Sequence, residues 1–301
     1  MPEETSEHAN SYFINETSYL PIVSISTDAN NLFDDQQGIY VSGIYSNTEN
    51  PLYSGNFMQR GREWERPIFL QLFDKDGNST FTQHAGVRIH AETDSSIDRK
   101  SLRLYARDDY GEARFQYPFF GPDERKQFNR LVLHNGNQDW NRTLLHDPLI
   151  HELTKDSHFE TQRSQSVNVY LNGEYWGIYH LRERYDSHYF RFAEQVLEED
   201  LDLLEGDGTA IEGNNVDYKQ LLAYIREYGA SSNESYRYIA TQIDIDSFID
   251  FYITQIYAAN TEWIDGNLYY WRERPYGKWR LAFQMSIQIL RIAILASNIT
   301  P

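Results

Sequence analysis

The sequence predicts an α+β fold, with a strand-rich N-terminal half and a helical C-terminal half. Three observations carry this expectation. Short runs with period-2 alternation crowd the chain as far as Arg184, and helical spacing takes over beyond it. The 23 tyrosines and 16 phenylalanines are residue types that fit a pleated, half-buried surface. Strands that come first and helices that come later read as α+β rather than as a doubly wound sheet.

In chain order, residues 1–19 are polar and read as a loose leader. PIVSIS from Pro21 alternates as a strand, and GIYVSG, bounded by Gly38 and Gly43, reads as a short one. RPIFLQLFD runs from Arg66 into the turn DKDGN. AGVRIHA, KSLRLYA and RLVLHN are further strands, with the polar segment ETDSSIDR between the first two. WNRTLLHDPLIHELTKD, residues 140–156, has helical spacing. SVNVYL and EYWGIYHLRER flank Asn172-Gly173, the strongest short hairpin signal. Helices are expected over about 186–198, 215–228, 233–242 and 244–259, with Asp244 capping the last. That last helix reads as buried, and leads into a polar loop followed by a strand, a turn and a second strand ending at Phe283.

Composition bounds the function. The 301 residues suit one large domain or two ordinary ones, and 40% hydrophobic content is globular. A formal net charge of −18 repels phosphate backbones, so nucleic acid is not expected as a partner; basic peptides or cations are, unless the acidity serves solubility alone. The absence of cysteine removes disulfides and thiolate metal sites. The N-terminus has neither a basic n-region nor an apolar core, so no signal peptide is expected, and nothing before residue 280 reads as a membrane span. The chain is therefore cytosolic, or lacks the start of a secreted one.

Several residues are candidates for chemistry. Lys100 shares a face with Leu102 and Leu104 by period 2. It is either an edge residue with its ammonium in solvent or a buried, paired cation. Glu183 shares a face with Tyr179, and a carboxylate there needs a cation, from Lys100 or a neighbouring arginine. Such a lysine–glutamate pair can orient ATP phosphates; the simpler alternative is a structural salt bridge. Glu262 and Asn267 lie in NTEWIDGN. A carboxylate that orients a nucleophile's proton, followed by an asparagine that holds a phosphate-bound metal, suits phosphotransfer. Asp265 is a second candidate, and Asp-Gly-Asn is also ordinary turn chemistry. His146 and His151 lack the i, i+4 spacing of a zinc helix. No Walker-type GxxxxGK[ST] and no GxSxG occurs.

Taken together, the segments resemble the CotH kinase family, the spore coat protein H-like proteins, from about Leu20 to Phe283. The blocks that carry the resemblance are LPIVSISTD with GIYVSG, EWERP, AGVRIHA, KSLRLYAR, RLVLHN followed by DWNRT, VYLNGEYWGIYHLRERYD, LLEGDG, and ANTEW with NLYYWRER. The block at residues 169–186 is the most specific. The resemblance implies an atypical protein-kinase-like fold that phosphorylates protein serines with ATP and a divalent metal, Mg or Mn. It implies that Lys100 is the ATP lysine, Glu183 its ion-pair partner and Asn267 a metal ligand. Glu262 stands where the family has aspartate in an NxDW context. Nucleotide would lie in a cleft lined by these four residues. Substrates would be proteins, with basic, serine-rich ones suited to the acidic charge. The spore coat, secretion or the cell surface are the implied locations.

The family continues after the strand KWR into an aspartate-rich segment, whereas here Phe283 is followed by Gln284, Met285 and Ser286, and no acidic residue follows Glu273. Residues 20–283 therefore read as a kinase-like domain incomplete at its C-terminus, and 284–301 as an aberrant tail left by a truncation or frame change. The expected activity is that of a CotH-type protein serine kinase, or of an inactive fragment of one. Two alternatives stand beside it. One is a non-catalytic pseudokinase, or coat or surface assembly protein. The other is an extracellular module associated with polysaccharide-degrading machinery, in which Trp140, Trp176, Trp263 and Trp271 are sugar platforms instead of core residues.

Overall fold

The computed structural model describes residues 10–14, 16–90, 98–122, 124–136, 139–258, 260 and 268–283. The chain divides into two compact units, the first comprising residues 1–137 and 164–183 and the second 138–163 and 184–301. The mixed α+β character expected from the sequence is observed, with strands dominating the first unit and six α-helices in all among the described residues.

The first unit contains β1 (Ile22–Ser26), α1 (Ala29–Phe33), β2 (Arg66–Phe73), β3 (Ser79–Ile89), β4 (Leu102–Tyr105), β5 (Phe115–Gln116), β6 (Gln127–Phe128), β7 (Arg130–His134), β8 (Ser164–Leu171) and β9 (Glu174–Arg182). Seven of these strands close a barrel in the order β1-β2-β3-β4-β7-β9-β8. Neighbours pair antiparallel except β1 and β8, which run parallel from Ile22 opposite Asn168 to Ile25 opposite Leu171. Period-2 alternation sends Val23, Ile25, Leu70, Val87, Leu104, Leu133, Val169 and Leu181 into a shared apolar core. The predicted turns hold. Asp74 Oδ1 accepts from the N–H groups of Asp76 (2.9 Å) and Asn78 (2.8 Å) around Gly77. Asn172 and Gly173 both take positive φ, 50° and 84°, as a two-residue hairpin turn requires.

GIYVSG is not a strand. The N–H groups of Gly38, Ile39 and Tyr40 donate instead to the carbonyls of Asp34, Asn31 and Leu32. Ile39 and Tyr40 are buried all the same, so the segment's apolar character comes from side-chain packing without ladder pairing.

The second unit contains α2 (His146–Leu153), α3 (Ser187–Ala193), β10 (Leu201–Glu205), β11 (Thr209–Glu212), α4 (Val216–Tyr228), α5 (Asn233–Gln242), α6 (Ile245–Tyr257), β12 (Leu268–Glu273) and β13 (Arg280–Phe283). Its sheet has the order β11-β10-β12-β13, all antiparallel. The pair β10–β11 around GDG was not foreseen, because LDLLE lacks alternation: Leu201, Asp202, Leu203 and Leu204 are all buried. The helix expected over 140–156 is confined to α2, and the one over 186–198 stops at Ala193.

Asp244 caps α6 as expected, its carboxylate accepting from the Ser247 N–H at 3.2 Å. The helix is not buried all round. Phe251 is fully enclosed among Phe159, Leu281 and Phe283. Ile249, Ile253, Ile256 and Tyr257 form an exposed stripe at i, i+4, i+7 and i+8. No helix of the described residues is long and apolar enough to cross a membrane.

Two outcomes follow from this packing. Phe251→Ala is expected to destabilise the protein by about 3–5 kcal/mol, and Ile256→Ala to change stability by no more than about 0.5 kcal/mol; urea unfolding of the two variants measures both. The second outcome concerns the exposed pair between His158 Nδ1 and Asp250 Oδ2 of α6, at 2.7 Å. The hydrogen bond and charge of Asp250 raise the His158 pKa, and His158 in turn lowers that of Asp250. The raised histidine contributes fully below its ordinary pKa and loses its contribution as pH rises through the folded value. The depressed carboxylate contributes above its ordinary pKa and loses its contribution as pH falls through the folded one. The pair thus acts fully between about pH 4 and about pH 6.5. An NMR titration should place His158 above the ordinary histidine range and return it there in Asp250→Asn.

Candidate functional site

Lys100 lies just before β4, and Glu183 just after β9. The Lys100 backbone is held by two phenols: its N–H donates to Tyr40 Oη (2.6 Å), and its carbonyl accepts from Tyr179 Oη (3.3 Å). The ammonium sits over aromatic faces, 4.6 Å from the Phe57 ring centroid and 5.7 Å from that of Tyr40. Tyr40 Oη also accepts from Trp176 Nε1 at 2.8 Å. Burial raises the pKa of both phenols, so Tyr40 and Tyr179 stay neutral. A half-buried lysine whose ammonium lies over two aromatic faces makes cation–π contacts with both.

Glu183 is almost wholly enclosed. Its Oε1 accepts from Arg125 Nη2 at 2.9 Å, with the carboxylate side chain 1% exposed and the guanidinium side chain 14%. Arg125 comes from the loop between β5 and β6, and its Cζ lies 4.4 Å from the Phe128 ring centroid. Edge-to-face contacts of Phe119 with Phe115, Tyr117 and Phe128 brace that loop. Of the alternatives the sequence offered for Glu183, a lysine or a neighbouring arginine, the structure supplies an arginine.

The strand register explains why. Leu102, Leu133 and Leu181 stand in one row across β4, β7 and β9, and Arg103, Val132 and Arg182 in the next. One step further, Glu183 is level with Leu104 and Leu131. Lys100 lies on the other side of these rows, level with Tyr179. At about 3.3 Å per residue and about 4.8 Å per strand, the two Cα atoms are about 13 Å apart along the strands and about 10 Å apart across them. The sequence-predicted pair is therefore not brought together; each member has its own surroundings within the same unit.

Glu262, Asp265 and Asn267, and with them Trp263, lie outside the described residues, as does the segment 284–301. Among the described residues no three His, Asp or Glu side chains converge as a metal site. His146 Nδ1 and His151 Nε2 each lie 3.4 Å from a carboxylate oxygen, of Asp139 and Asp147 respectively. His151 Nδ1 also accepts from the Gln162 N–H at 3.0 Å, which leaves the ring proton on Nε2. Of the candidate sugar platforms, Trp271 is buried, Trp176 is half-buried and Trp140 is 38% exposed.

Glu65 and Asp202 are among the buried carboxylates that the sequence does not mark. Glu65 is clamped by Arg107, through Nε to Oε1 (2.7 Å) and Nη2 to Oε2 (3.0 Å), and by the hydroxyl of Tyr110 (3.2 Å). Burial and then the Glu65 charge push the Tyr110 pKa up to about 12. Asp202, on β10, accepts at Oδ2 from Arg272 Nε and Nη2 (3.0 Å each) and at Oδ1 from the Asn214 N–H (2.8 Å). Nothing in EWERP or LDLLE marks these acids, because their cations lie 42 and 70 residues away in sequence. Both are saturated ion pairs that fix local structure.

Gly86 makes room for the first of them: a Cβ there would lie 2.5 Å from Glu65 Oε1 and 2.7 Å from the Tyr110 ring. Because Arg107 holds the carboxylate in place, Gly86→Ala should destabilise by about 1–3 kcal/mol, read as a lower unfolding midpoint; an unchanged midpoint would show that Glu65 moves aside freely.

A family model described as CotH kinase protein matches residues 87–283, a span that takes in Lys100, Arg125, Glu183, Glu262 and Asn267. No curated protein matches the chain.

Proposed function

The chain belongs to the CotH kinase family, and on that premise we propose that it is an ATP- and divalent-metal-dependent protein serine kinase with an atypical kinase-like fold. The observation that carries the proposal is the family match, which covers every residue singled out for phosphotransfer. ATP, when bound, supplies the phosphoryl group, and Mg or Mn screens its charge. Lys100 binds the nucleotide's phosphates, and the aromatic floor of Phe57 and Tyr40 supports that role by holding the ammonium in place. Glu183 fixes the surroundings of the nucleotide from the far end of β9. Asn267 holds the metal, and Glu262 orients the proton of the acceptor serine hydroxyl. Protein substrates rich in lysine, arginine and serine fit the net charge of −18.

Glu262 favours a second reading, a non-catalytic family member that binds partners. A glutamate in place of aspartate adds one methylene, about 1.5 Å of reach, and a displacement of that size at a reacting group can cost about 100-fold in rate. The two readings separate in one assay: transfer of the γ-phosphate of ATP to a basic, serine-rich peptide with Mn or Mg. The kinase reading expects transfer that Lys100→Ala abolishes and Glu262→Asp accelerates by about tenfold or more. Absence of transfer from the folded wild-type chain and from Glu262→Asp alike, with partner binding that survives Lys100→Ala, would establish the second reading.

A further inference from the structure

We infer that Arg125 is a positioning residue for the nucleotide site: it, and not Lys100, is the cation that fixes Glu183. The inference rests on the kinase reading for what Glu183 does, and on geometry for what holds it. The contact is direct, with Arg125 Nη2 2.9 Å from Glu183 Oε1 and the carboxylate side chain 1% exposed. A carboxylate this enclosed is costly to keep ionised without a cation beside it. The register of β4, β7 and β9 sets Lys100 several residues back along the sheet, so the lysine is not the group that does this. The arginine is itself placed from two sides. Its guanidinium lies 4.4 Å from the Phe128 centroid, and its loop is anchored by Phe119 packing against Phe115 and Phe128. Arg125 therefore acts through Glu183. Its removal should reorient the carboxylate and weaken nucleotide binding, while Lys100, in its own aromatic setting, is left unchanged.

The test is equilibrium binding of Mn-ATP to the full chain, with thermal unfolding of each variant recorded alongside. Arg125→Ala is expected to weaken binding at least fivefold, and Arg125→Lys, which restores the charge, to stay within about threefold of wild type. Arg125→Ala combined with Glu183→Ala should bind no more weakly than the weaker single variant, because the two act as one unit. Arg125→Gln, which keeps the length and hydrogen-bonding capacity but not the charge, serves if the alanine variant does not fold, and should weaken binding to a similar extent. Wild-type affinity in a folded Arg125→Ala or Arg125→Gln, in a series where Lys100→Ala loses binding, would overturn the inference and leave the kinase reading standing. Effects of the Arg125 and Glu183 substitutions that simply add would overturn it as well. A wild-type chain that binds no Mn-ATP would remove the kinase reading and the inference together.

Discussion

The first unit depends on one pairing, the parallel ladder between β1 and β8. Ile22 to Ile25 meet Asn168 to Leu171, joining residues 146 apart in sequence. Without it the seven strands are an open sheet with two raw edges, and the inward residues of β1 and β8 lose the opposite wall against which they pack. Everything of interest in that unit hangs on the closed form. Lys100 and Glu183 have fixed relative places only because β4, β7 and β9 are locked in register within a barrel that cannot slide.

That locked register redistributes the charges. A lysine and a glutamate on strands of the same sheet look like partners when only face and alternation are considered. Three strands of antiparallel pairing convert a small offset in sequence into a long diagonal in space. The carboxylate instead takes its cation from a short, aromatic-braced hairpin that carries no strand signal of its own. Glu65 and Asp202 repeat the pattern. At Glu65 and Asp202 the arginine brings two N–H groups to the acid at once, where Glu183 takes one from Arg125.

Local signals therefore made some of this molecule legible from sequence. The hairpin at Asn172-Gly173, the turn at Asp74–Asn78 and the cap at Asp244 were readable because each is decided by side chains within a few residues. The strands of the barrel were readable from short runs rich in β-branched and aromatic residues between turn signals, although β1 and β7 are buried on both faces. Legibility failed where the sequence lacks alternation, as at Leu201 to Leu204, all four of them buried, and where apolar side chains pack without a ladder, as at Ile39 and Tyr40. In the candidate site, the aromatic environment of Lys100 and the pairing of Arg125 with Glu183 were illegible, since Phe57, Tyr40 and Arg125 are distant in sequence from the residues they touch. Family resemblance gave the residues; only coordinates could give their neighbours.

The interruption of the first unit by residues 138–163 also sets an order in time. A ribosome delivers β1 early and β8 late, after α2 has already emerged. Throughout that interval the outer edge of β1, with its row of unpaired N–H and C=O groups and the apolar Val23 and Ile25 beside it, has no partner strand in its own chain. The nascent protein is thus most open to mispairing in the window before residue 164 is made, and the hairpin β8–β9, which forms from local contacts once synthesised, is the piece that ends it.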